Sequence, residues 1–291
     1  MLKRKLARAG LFANGLVFFI ATVNGRNDRV HVDSAVAEVD PIVRQLQAFD
    51  SSFTDLGDFP SDILANAPKI RLSPYVAKFV KDYNRKNDDV LQSIKDRSGS
   101  YFAMIDSIFT KYHLPVELKY LAVVESELDN KACSRVGAVG PWQFMPSTAR
   151  DLSLKVRGKY DERKSYSKST VAAAKYLRDL YGQFGDWLLV IAAYNSGPGK
   201  VMYAMKMSGS RNFWAMQRYL PAETRGHVKR FIATHYYFEG DGGITTLTKK
   251  ETLAYKNALA DYFAEQRAVM EKNRLSGTDV TIATDIDDVK K

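Results

Sequence analysis

In the stretch that starts at Pro115, the residues Leu118, Leu121, Ala122, Glu125 and Leu128 recur at i, i+3, i+4, i+7 and i+10, so a carboxylate falls in the middle of a helix's apolar stripe. Burial against apolar neighbours disfavours the ionised form, and a general acid working near neutral pH needs a carboxyl that keeps its proton. On periodicity alone, a glutamate at a helix edge or beside an arginine accounts for the pattern equally well. Glu117 and Glu127 fall off the stripe and read as solvated charges. Further on, Gly137, Gly140 and Pro141 break the chain before Trp142, Gln143, Phe144 and Met145. This is a tight loop whose rings could stack on a sugar and whose amide could bond its substituents, although either ring could equally be core. An almost wholly apolar helix, Trp187 to Ala193, then ends at Tyr194 and Asn195 before Ser196, Gly197 and Pro198, which brings a phenol and an amide to a helix terminus.

The elements that must hold these groups are helical. Val76, Phe79, Val80 and Tyr83, followed by Tyr101, Met104, Ile105 and Ile108, predict two amphipathic helices between Ser73 and about residue 110. Pro115 sits where a first helical residue would, Ser169 or Thr170 can cap the alanine-rich stretch after them, and Asp186 can cap the next helix, which Gly197 and Pro198 stop. A charged helical stretch follows around Leu253 to Asn273. Strand-like alternation is scarce, so the expected class is all-α. The organisation reads as a signal peptide over 1–25, a linker or extended arm over 26–72, a helical preface over 73–112 that packs on the core, a catalytic domain over 113–240, and a C-terminal helix with a polar tail over 241–291.

Lys3, Arg4, Lys5 and Arg8 precede an apolar run from Ala9 to Val23, the pattern of an export signal, with cleavage after Ala21 or Gly25 or retention as an anchor as the two outcomes. The net charge of +10 calls for an anionic partner. Charge alone does not choose among nucleic acid, lipid surface and acidic wall polymer; the export signal argues against nucleic acid. One cysteine, Cys133, excludes an intramolecular disulfide and reads as a small core filler. The four histidines have no metal-ligand spacing, and neither a P-loop nor a dinucleotide glycine fingerprint is present, so neither a metal nor a cofactor is expected.

Taken in order, Glu125-Ser126, the loop Gly140-Pro141-Trp142-Gln143-Phe144-Met145-Pro146-Ser147-Thr148, the stretch Ala193 to Gly199 (Ala-Tyr-Asn-Ser-Gly-Pro-Gly) and Leu220-Pro221-Ala222-Glu223-Thr224-Arg225 resemble the four motifs of the lytic transglycosylases whose catalytic domain is like goose-type lysozyme, and most of all the membrane-bound murein transglycosylase D branch. The resemblance runs from about Leu114 to Phe238, with a weaker likeness back to Ser73. Three departures stand out. His227 replaces the family's usual tyrosine two residues after the arginine, Pro141 replaces an aliphatic residue, and the branch's small wall-binding repeats are not seen.

The resemblance implies a lysozyme-like fold, peptidoglycan glycan strands as partner, and Glu125 as the single catalytic acid/base. Glu125 would protonate the bond between N-acetylmuramic acid and N-acetylglucosamine and then deprotonate the muramoyl 6-hydroxyl as it closes a 1,6-anhydro ring. It also implies Ser126 and Tyr194 as polar support near the acetamido group and the carboxyl, Gln143 and Asn195 as substrate hydrogen-bonders, Trp142 and Phe144 as sugar contacts, and Glu223 and His227 as further site residues. A lysozyme-type hydrolase of the same bond and a non-catalytic wall-binding scaffold are the competing readings.

Overall fold

The structure is a computed structural model and describes residues 63, 66–158 and 160–276. The expected signal peptide, most of the expected linker and the polar tail lie outside the described residues. Helices α1 (Pro74–Arg97) and α2 (Gly99–Lys111) are the two amphipathic helices that the spacing predicts. Ser73 accepts the Val76 N–H at 3.4 Å, and Pro74 takes the first helical position, where a missing N–H costs nothing.

A 3-10 turn (Val116–Lys119) leads into α3 (Tyr120–Ser126), and a long loop follows with the short α4 (Pro146–Asp151) at its end. Next come a two-residue antiparallel pair, β1 (Val156–Arg157) with β2 (Tyr160–Asp161), and a second 3-10 turn (Glu162–Lys164). The rest is helical: α5 (Tyr166–Phe184), α6 (Trp187–Ser196), α7 (Pro198–Ser208), α8 (Phe213–Met216), α9 (Ala222–Glu239) and α10 (Lys249–Leu275). The all-α class holds.

Helix α6 is the core. Every side chain from Trp187 to Ala193 is buried, and α5, α7 and α9 pack around it. A helix that is apolar on all sides has nowhere else to go, and full burial of Leu188, Leu189 or Ile191 stabilises by roughly 1.5–3 kcal/mol each. Asp186 caps it as expected, accepting the Leu188 and Leu189 N–H groups at 3.0 and 3.2 Å. Helix α9 lies between α1, α3 and α6, and its inner face carries Thr224, His227, Phe231 and His235.

Two expected helix starts are corrected. Pro115 precedes a 3-10 turn instead of opening the α-helix, which begins at Tyr120. The cap of α5 is Ser165, four residues before Ser169; Ser169 and Thr170 sit inside the helix, each turning its hydroxyl back to the carbonyl one turn earlier, Ser165 and Tyr166 respectively, at 2.6 Å. Cys133 is also corrected: it is exposed, on a loop strand that bridges to Val139, and fills no core space.

On α9, His235 is 1% exposed and its Nδ1 lies 3.3 Å from the Thr245 hydroxyl. Burial pulls its pKa from 6.5 down to about 4, helped by Lys119 and opposed by the Glu239 and Asp241 carboxylates. The unfolded chain therefore takes up this proton as pH falls below about 6.5, while the native state does so only near 4. Stability from this group is complete above the upper value and is lost across the window, by about 3 kcal/mol in total. Denaturant unfolding at several pH values is expected to show this acid slope, and a His235→Leu variant is expected to flatten it.

Candidate active site

Glu125 lies in the last turn of α3, and the helix stops after Ser126 because Glu127 and Leu128 both adopt left-handed backbone conformations, with φ of 57° and 63°. Two consecutive non-glycine residues in that region are strained, each by about 1 kcal/mol or more. The return is geometric. Leu128, which a continued helix would also have put on the apolar stripe, folds back into the core at 2% exposure, and Glu125 is left on a helix end with its side chain 15% exposed. Glu127 and Glu117 are half-buried instead of solvated, and burial pushes both carboxyls above the usual range. Arg97 donates to the Glu127 carbonyl at 2.6 Å and braces the bend.

Opposite Glu125 stands His227 of α9, 2% exposed, with Nε2 at 2.9 Å from Glu125 Oε1. The two residues are far apart in sequence, and the packing of α9 on α3 brings them together.

The loop from Gly137 to Phe144 is shaped from below. Val139 bridges to both Cys133 and Phe144, and the Gly140 N–H donates to the Ala132 carbonyl at 2.9 Å. Gln143 has φ of 47° and turns its side-chain amide inward, donating to the Gly140 carbonyl at 2.8 Å. Beneath the loop is Arg163, 5% exposed, which donates to the carbonyls of Gly137 and Phe144 at 2.8 and 2.9 Å and pairs with Asp161 at 2.7 Å. The guanidinium holds Asp161 below the usual carboxylate range.

The loop is then tied to the two helices that carry the motif residues. The Ser126 hydroxyl lies 2.8 Å from the Pro141 carbonyl, and the Tyr194 hydroxyl donates to the Trp142 carbonyl at 2.8 Å. Burial, and after it the charge of Glu125, push the Tyr194 phenol well above its ordinary value, so it stays a donor. Both hydroxyls, expected as support for a substrate, are spent on the loop backbone. A Tyr194→Phe variant leaves the Trp142 carbonyl without its donor and is expected to cost about 1–2 kcal/mol in denaturant unfolding. The loop should then loosen, read as faster amide hydrogen exchange at Gly140 and Gln143.

The expectation that Trp142 and Phe144 present their rings to a sugar is corrected. Trp142 is fully buried, tilted against Phe109, with its indole N–H donating to the Thr170 hydroxyl at 3.0 Å. Phe144 is 3% exposed and packs against Tyr176 and Tyr194. Both rings anchor the loop in the core, where Phe109 and Thr170 hold the indole and Tyr176 and Tyr194 the phenyl ring. Glu223 pairs with Arg230 at 2.5 Å on the surface of α9, its side chain 46% exposed. Asn195 accepts the Thr224 hydroxyl at 2.9 Å through Oδ1.

The sequence reading missed Arg163, Asp161 and Thr224. Thr224 lies within the fourth motif, between Glu223, which the resemblance implies as a site residue, and Arg225. Arg163 lies in the charged run Asp161 to Lys164, where its pairing with Asp161 is local, but the carbonyls it holds, those of Gly137 and Phe144, are distant in sequence.

Residues 104–217 match the family model described as the transglycosylase SLT domain. That span holds Glu125, Ser126, the loop, Tyr194 and Asn195, and ends before Glu223 and His227. The membrane-bound lytic murein transglycosylase D of Escherichia coli (strain K12) is 39% identical over 153 residues, which is 51% of this chain and 33% of that protein. The soluble lytic murein transglycosylase of the same strain is 34% identical over 131 residues, 42% of this chain and 20% of that protein. The solved 70 kDa soluble lytic transglycosylase of Escherichia coli superposes with a TM-score of 0.43 at 24% identity, covering 72% of this chain and 37% of the other. The alignment to the first relative thus spans about a third of its length.

Proposed function

We propose, taking as premise that residues 104–217 of this chain are a transglycosylase SLT domain, that the protein is a lytic transglycosylase that cuts peptidoglycan glycan strands between N-acetylmuramic acid and N-acetylglucosamine. The observation that carries the reading is the fate of the acids in the four motifs. There are two, Glu125 and Glu223, and Glu223 spends its carboxylate on Arg230 at the surface. Glu125 remains as the acid at the meeting point of α3, α9 and the loop.

A glycosidase that works with two carboxylates places them about 5–10 Å apart on either side of the bond. One carboxyl can serve both steps if the substrate supplies the nucleophile. Glu125 protonates the glycosidic oxygen as the bond to C1 breaks, the substrate's own acetamido group shares the positive charge, and the ionised Glu125 then takes the proton of the muramoyl 6-hydroxyl as that oxygen bonds to C1. The product is a 1,6-anhydro sugar, and the acid is restored with no water consumed. Because attacking and attacked atoms belong to one sugar, the closing step is intramolecular and keeps its entropic advantage. Asn195, and Gln143 through the amide oxygen that its inward-turned nitrogen leaves over, are the candidate hydrogen-bonders to the glycan. The same reading places the protein in the cell envelope, exported by residues 1–25, and either released there or held at the membrane by them. Its net charge of +10 suits a wall polymer rich in carboxylates.

Mass spectrometry of muropeptides released from purified peptidoglycan tests this. Products one water lighter than the reducing-end form support the transglycosylase. Reducing-end products make the protein a hydrolase of the same bond, and wall binding without products makes it a scaffold.

A further inference from the structure

We propose that His227 is a positioning residue that gives the two oxygens of Glu125 different tasks: its Nε2–H holds Oε1, and Oε2 alone carries the proton out to the glycosidic oxygen and back from the 6-hydroxyl. This rests on the transglycosylase reading above.

The argument starts from the far side of the ring. His227 is 2% exposed, its Nε2 lies 2.9 Å from Glu125 Oε1, and its Nδ1 is buried with no hydrogen-bond partner among the described residues. A neutral imidazole carries one ring hydrogen, on either nitrogen. With the hydrogen on Nδ1, the interior holds an N–H that nothing accepts. With it on Nε2, the interior holds only an unused lone pair. Orphaned buried N–H groups are the rarer defect, and a doubly protonated ring would bury the same orphan together with a charge. The hydrogen therefore belongs on Nε2, where Glu125 Oε1 accepts it.

The consequence for the carboxyl is a matter of counting hydrogens. One hydrogen already lies between Nε2 and Oε1, so Oε1 cannot also hold its own proton toward the ring. When Glu125 is an acid, its proton is on Oε2, the oxygen to which the structure gives no partner among the described residues. The ring thus points the acid and fixes which oxygen reacts. A hydroxyl at the same place could turn to accept as readily as to donate; an imidazole wedged between α9 and α3 cannot turn.

Three substitutions in the full-length protein separate this from a packing role. His227→Gln places an amide N–H near the position of Nε2, His227→Asn places one nearer that of Nδ1, and His227→Phe keeps the ring without a donor. With short uncrosslinked glycan strands as substrate, the Phe and Asn variants are expected to lose about 10- to 100-fold in kcat with KM within about 2-fold, and the Gln variant to recover most of the loss. Long-range proton–nitrogen NMR on protein with labelled histidine should show an Nε2–H tautomer at His227, the signal being assigned by its absence from the Gln variant. An Nδ1–H tautomer would overturn the proposal, and so would a folded Gln variant as slow as the Phe one. If the unaltered protein releases no cleavage product, the transglycosylase reading fails and the positioning role with it, while the NMR pattern still decides where the hydrogen sits.

Discussion

Replacing Glu125 by glutamine is expected to stop the release of anhydromuropeptides, lowering turnover by roughly a thousandfold or more. The substitution is nearly isosteric, and the amide oxygen can still accept from His227, so the contact at 2.9 Å between α3 and α9 survives. What glutamine lacks is a proton to give to the leaving oxygen and a charge with which to recover one. Both steps of the proposed reaction use this single group, so no second carboxyl in the motifs can take over. The melting temperature should stay within a few degrees of the parent and wall binding should persist, which makes the loss a chemical one. A variant that cleaves within tenfold of the parent would remove Glu125 from the role and leave the lysozyme-like reading without its acid.

The second large effect is on stability. Gly140→Ala is expected to destabilise by at least about 3 kcal/mol, a fall in melting temperature of roughly 6–12 °C for a domain of this size. Gly140 has φ of 84°, which strains any other residue, and a Cβ built there would lie 2.0 Å from the Arg163 carbonyl oxygen. That oxygen belongs to backbone held in place by the Arg163 guanidinium, whose bonds to Gly137, Phe144 and Asp161 would have to shift together. Yielding is therefore expensive on both sides of the contact. Differential scanning calorimetry checks the size, and a shift of less than about 2 °C would mean the loop moves aside more freely than its bonds suggest.

The sequence made Glu125 legible because a helix repeats, and a polar residue on an apolar stripe shows without any knowledge of what lies opposite. The same logic found the two helices before residue 112, the cap at Asp186 and the buried helix beyond it. It failed where a side chain's surroundings come from elsewhere in the chain. Trp142 and Phe144 are flanked by glycines and a proline, which say that the backbone turns but not which way the rings face; Phe109, Thr170 and Tyr176 decide that. Ser169 and Thr170 had the right chemistry for a cap, but Ser165 had it one turn earlier. His227 entered through a resemblance, as a departure from it and as a site residue, and its place opposite Glu125 came from α9 lying against α3.

The bonds of Asp186 reach further than the helix they cap. One carboxyl oxygen serves the first N–H groups of α6, and the other accepts the Lys249 N–H at 2.6 Å, the first residue of α10. The end of the segment that leads from α9 into α10 is buried, with Thr245, Thr246 and Thr248 at 1% exposure or less. The first turn of the C-terminal helix cannot move off without disturbing the cap of the helix at the centre of the core, so whatever pulls on that turn pulls on the same element that carries Tyr194 and Asn195.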